Sequence, residues 1–116
     1  MEDILAHLCE TSGVTGGLLV GKDGIVIASH LSSDDDPDLL GALVADLFGG
    51  VGSSLERYAN GNIELVSVER EDGKLLLQHM EDANALLAVL AGPKINMGLV
   101  RLEMKEASQK FKDMLM

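Results

Sequence analysis

Cysteine is nearly absent from this chain: Cys9 is the only one in 116 residues, so an intrachain disulfide and a multi-cysteine zinc site are both excluded. Aromatic residues are almost as scarce, with Phe48, Tyr58 and Phe111 but no tryptophan, and the only prolines are Pro37 and Pro93. Basic residues are few as well, nine Lys and Arg against nineteen Asp and Glu, for a formal charge of -10. Neutralising a phosphate backbone requires a concentrated cationic face, so nucleic acid is not an expected partner, and an anionic membrane surface should repel the chain. No apolar run reaches the roughly 18 to 20 residues of a membrane-spanning helix, so direct membrane insertion is not expected. Met1-Glu2-Asp3 carries acids where a signal peptide carries bases, and a reducing, cytoplasmic setting is the expectation.

What is present suits one globular domain over residues 1–116, with 47% hydrophobic residues and no linker, repeat or low-complexity segment. Ile4, Leu5, Leu8 and Cys9 recur at helical spacing and predict a short helix from Glu2 to about Thr11. TGGLLVG (15–21) and IVIASH (25–30) flank Lys22-Asp23-Gly24 and predict a β-hairpin. Asp36 caps and Pro37 opens a long helix predicted to reach Tyr58. On it Leu40, Leu43, Val44, Leu47, Val51 and Leu55 form an apolar stripe, and Gly41, Ala45, Gly49 and Ser53 form a row of small residues at four-residue spacing. Three strands follow, IELVSVE (63–69), KLLLQHM (74–80) and LLAVLAG (86–92), read as an antiparallel meander whose last member is central. A final helix is predicted from Asn96 to the end. The order is α-β-β-α-β-β-β-α.

Motifs for chemistry are missing. Gly21-Lys22 and Gly92-Pro93-Lys94 do not complete a P-loop, and Gly52-Ser53-Ser54 is no nucleophile elbow. His7 lies two residues from Cys9, a spacing that does not bring side chains together on a helix, so Cys9 reads as a small core residue. The Asp34-Asp35-Asp36 run lacks the ligand alternation of a calcium loop and reads as a solvated helix cap. His7, His30 and His79 are dispersed and read as partly exposed polar groups at element ends. No catalytic, cofactor-binding or metal-ligating residue is assigned.

The row of small residues is the most informative local feature. Glycine inside a helix costs about 0.8–1 kcal/mol relative to alanine. Either the helix frays near Gly49-Gly50, or a second helix approaches closely across a homodimer axis.

The stretch GVTGGLLV (13–20), the Asp23-Gly24 hairpin with Ile27-Ala28-Ser29, LLAVLA (86–91) and NMGLVRL (96–102) together resemble the Roadblock/dynein light-chain family over nearly the whole chain. The short first helix and the glycine-rich second helix depart from it. The resemblance implies a profilin- or longin-like three-layer α/β sandwich: a five-stranded antiparallel sheet between the long helix and the two terminal helices. It implies a homodimer joined by the third strand and the middle helix, here Ile63, Leu65, Val66 and Val68 with Gly41, Ala45, Gly49 and Ser53. It also implies a non-catalytic regulator or scaffold for a small Ras-like GTPase, stimulating hydrolysis or exchange. Of the arginines, Arg57, Arg70 and Arg101, it is Arg70 that borders the Glu71-Asp72-Gly73 turn, and it is the candidate partner contact. The alternatives are a structural adaptor in a motor or signalling complex and, more remotely, a small-ligand sensor.

Overall fold

The computed structural model describes residues 1–115, so the last residue of the expected C-terminal helix, Met116, lies outside the described residues. Its elements are α1 (Glu2–Leu8), β1 (Val14–Gly21), β2 (Val26–His30), α2 (Pro37–Glu56), β3 (Leu65–Arg70), β4 (Gly73–Met80), β5 (Ala85–Ala91) and α3 (Met97–Leu115). The five strands form one antiparallel sheet in the order β2-β1-β5-β4-β3. The element order and the sandwich are those expected from the sequence.

Local chemistry explains the turns that set this order. The β1–β2 hairpin closes through Gly21 N–H to Ile25 O at 2.9 Å, and Gly24 takes φ +88°, the left-handed position that glycine fills without strain in a three-residue hairpin loop. Asp36 caps α2, its carboxylate accepting from the Asp38 and Leu39 amides, and Pro37 occupies the first turn. The helix then runs unbroken through Gly49-Gly50 and ends at Glu56, so the fraying alternative does not occur. A 3-10 turn at Glu81–Ala83, followed by Asn84 at φ 52°, connects β4 to β5. That turn was not expected, because its residues carry no glycine or proline to mark it.

Strand β5 lies at the sheet's centre, buried along almost its whole length, as its two-sided apolar pattern requires. The two faces of the sheet are finished unequally. On one, α1 and α3 bring Leu5, Leu8, Val100, Met104, Ala107 and Phe111 onto Leu19, Leu76, Met80, Leu87 and Val89. The other face has a smaller core, Leu18, Val20, Leu77, Leu86 and Ala88 under Val44 of α2, with Leu40, Leu47, Phe48, Val66 and Leu75 only partly covered.

Candidate functional site

The unfinished face and the sheet edge beside it form the candidate site, an interaction surface. By length and composition α2 is the one described helix apolar enough to cross a membrane. That corrects the expectation from uninterrupted runs, since leucines spread among small residues keep the average apolar without a long unbroken stretch. Only 11% of that stretch is buried within the chain. Of the predicted stripe only Val44 is buried; Leu40, Leu47 and Val51 are half-buried, and Leu43 and Leu55 stay 53% and 50% exposed. Large exposed apolar faces of this kind mark sites of association. Between Pro37 and Glu56 the charges are Asp38, Asp46 and Glu56, all acidic.

The row of small residues divides. Gly41 is buried, and a Cβ there would stand 2.8 Å from both the Gly24 carbonyl oxygen and Val26 Cγ2. Gly41 is therefore corrected from an interface residue to the contact that seats α2 on its own hairpin. Ala45 is half-buried over the same hairpin, whereas Gly49 and Ser53 are exposed, and a Cβ on Gly49 would meet nothing within 4 Å. Four residues advance an α-helix by about 400°, so three such steps rotate the row by roughly 120° from sheet to solvent.

Strand β3 forms the outer edge of the sheet, with Leu65, Val66 and Val68 half-buried. Ile63 is corrected from the strand to the segment before it. Its side chain lies near Gly52, and its carbonyl oxygen accepts from His79 Nδ1 at 3.2 Å. Arg70, at the end of β3, is exposed and pairs with Asp72 of the adjoining turn, Nε to Oδ1 3.1 Å.

His79 is the residue that the sequence reading missed. It stands on β4 facing α2, its ring 4.9 Å from that of Phe48 and tilted by 50°. Because Ile63 O can only accept, Nδ1 carries the hydrogen, and Nε2 is a bare acceptor, sealed from solvent without a hydrogen-bond partner among the described residues. Burial, then the charge of Lys22, push its pKa below the usual histidine range; the Ile63 bond and Glu81 oppose this, and Lys112 adds the smallest push downward. A depressed histidine pKa means that the folded state takes up its proton later than the unfolded chain. Its penalty is absent above the unfolded value of about 6.5 and grows as pH falls through that value towards the folded one. The urea midpoint of the wild type should therefore fall between pH 7 and pH 5 by more than that of His79→Phe; equal falls would show that His79 titrates freely. Its place in the apolar run 75–80 was the available signal, since a polar group there requires a partner, but nothing nearby in sequence pointed to Ile63.

Cys9 is half-buried against the α1–α3 core, where burial raises its thiol pKa and disfavours the thiolate. His30 on edge strand β2 and His79 on β4 are separated by β1 and β5. No cluster of three metal-ligating side chains occurs among the described residues.

The α/β sandwich thus leaves one apolar face incompletely covered beside the β3 edge of its sheet. The chain belongs to the Roadblock/LC7 family, whose domain model matches residues 1–91. It is 37% identical over 114 residues, 98% of each chain, to an uncharacterised protein of Methanocaldococcus jannaschii. Among solved structures it superposes on a Roadblock/LC7 domain from Streptomyces avermitilis with a TM-score of 0.92 at 24% identity, covering 99% of this chain and 97% of that one. It also superposes on Myxococcus xanthus MglB, with a TM-score of 0.86 at 22% identity, covering 97% and 94%. Segment 92–115, beyond the family match, includes α3, and α3 closes the larger core.

Proposed function

We propose that this chain is a cytoplasmic homodimer, joined through β3 and α2, that regulates or scaffolds a small Ras-like GTPase. The observation that carries this reading is the exposed apolar length of α2 beside the open edge of β3. A membrane is a poor cover for that helix, because Asp38, Asp46 and Glu56 would enter it with no cation from the same helix. A second copy covers part of the surface, and the remainder is acidic and apolar, suited to a partner with a basic and apolar docking face.

The GTPase reading draws on family membership, which includes prokaryotic partners of such GTPases, and on the lack of a nucleotide-binding motif in this sequence. A regulator that distinguishes nucleotide states must touch the switch segments, which order around the γ-phosphate. Arg57, Arg70 and Arg101 are exposed, but Arg57 caps the end of α2, Arg70 ends β3 and Arg101 lies on α3, so none stands on an extended loop. Stimulation then works by ordering the GTPase's own catalytic groups and not by inserting an arginine, whose removal would cost about 10³–10⁵ in rate.

Pull-down against candidate small GTPases loaded with GDP or a GTP analogue tests the proposal. State-selective binding is expected, with Arg70→Ala, at concentrations where it remains dimeric, keeping most of any stimulation of single-turnover hydrolysis. Equal binding in both states would favour the structural adaptor.

A further inference from the structure

The backbone of β3 dictates how a second copy can join it. His79 N–H donates to Glu64 O at 2.9 Å, and this pair continues the register in which Leu65 faces Gln78, Val66 faces Leu77 and Val68 faces Leu75. Antiparallel ladders alternate hydrogen-bonded and non-hydrogen-bonded pairs. Glu64, Val66, Val68 and Arg70 thus turn their backbone groups towards β4, and Leu65, Ser67 and Glu69 turn theirs outward. A two-fold axis pairs residue i with j and j with i. Outward groups must also meet outward groups, which leaves short-range registers centred on Val66, Ser67 or Val68.

Side chains separate the three. Centred on Val68, the pairing sets Glu64 opposite Asp72, two like charges, and Arg70 opposite Val66. Centred on Val66, it sets Glu64 opposite Val68. Centred on Ser67, it engages all three outward residues of each copy, with Ser67 opposite itself and Leu65 opposite Glu69. That register also places Val66 opposite Val68 and Glu64 opposite Arg70. Opposite charges facing each other across strands stabilise the pairing, and like charges oppose it. Glu64 and Arg70 are both exposed, Glu64 has no ion pair among the described residues, and the tie of Arg70 to Asp72 is a solvent-exposed one that it can exchange.

We infer that two copies pair through β3 in the register centred on Ser67, selected by ion pairs between Glu64 of each copy and Arg70 of the other. This rests on the dimer reading above and assigns Glu64 and Arg70 as determinants of self-recognition. Charge variants test it. Glu64→Arg alone and Arg70→Glu alone each set two like-charge pairs across the interface and should weaken self-association on the order of tenfold. Mixed one to one, the two variants restore both ion pairs and should form a heterodimer with wild-type affinity.

Crosslinking in a Cys9→Ser background gives an independent readout. Ser67→Cys should form a disulfide-linked dimer under mild oxidation, since hydrogen-bonded partners sit about 5.5 Å apart at Cα. Leu65→Cys should not, its two copies being offset by about 13 Å along the strands. A wild-type dimer with no rescue on mixing, or with a disulfide forming at Val66→Cys or Val68→Cys in place of Ser67→Cys, overturns the register and leaves the dimer standing. A monomeric wild type overturns both.

Discussion

Phe111→Ala is expected to destabilise the fold by about 3–5 kcal/mol, the range for truncating a fully buried phenylalanine. Phe111 has no exposed surface and packs in the core shared by α1, α3 and the sheet. Net stabilities of small domains are about 5–15 kcal/mol, so this one change removes a large fraction. The result bears on function because α3 starts beyond the region of the family match, which ends at residue 91. If α3 is integral, chemical denaturation should show one cooperative transition with its midpoint sharply lowered. A variant that unfolds at the wild-type midpoint would mean that α3 is a detachable appendage.

Gly49→Leu should act in the opposite manner, leaving the single chain intact and breaking the assembly. Nothing lies within 4 Å of a Cβ built at Gly49, and replacing a helical glycine removes about 0.8–1 kcal/mol of unfavourable propensity. A second copy packed on this face would instead meet a branched side chain. Overfilling a close-packed contact costs about 1–3 kcal/mol, which corresponds to a loss of roughly 5- to 150-fold in dimer affinity. Secondary structure should be unchanged by circular dichroism while the dissociation constant, from sedimentation equilibrium, rises. Unaltered affinity would show that the second copy does not contact Gly49.

These two variants mark what could and could not be read in the sequence. The order of elements was legible because most boundaries are written locally, in Asp23-Gly24 for the hairpin and Asp36-Pro37 for the start of α2, and because the two-sided apolar run of β5 marks a central strand. The division of the row of small residues was not legible. Spacing by four shows that a helix has a narrow side, but the partner of Gly41 is the hairpin around Gly24, found only by folding. Likewise the apolar stripe of α2 announced burial without saying whether this chain or another supplies the cover, and this chain covers little of it. His79 illustrates the same limit, since its hydrogen bond reaches sixteen residues back to Ile63. Local patterns specify which groups need partners; long-range packing decides who they are.

As proposed above, the exposed length of α2 and the open edge of β3 make one central demand, a second copy on the unfinished face. Light scattering coupled to gel filtration, on wild-type protein at micromolar concentration, tests that demand most directly. The expected mass is twice the 12.3 kDa of one chain. A mass of 12.3 kDa under those conditions would contradict it.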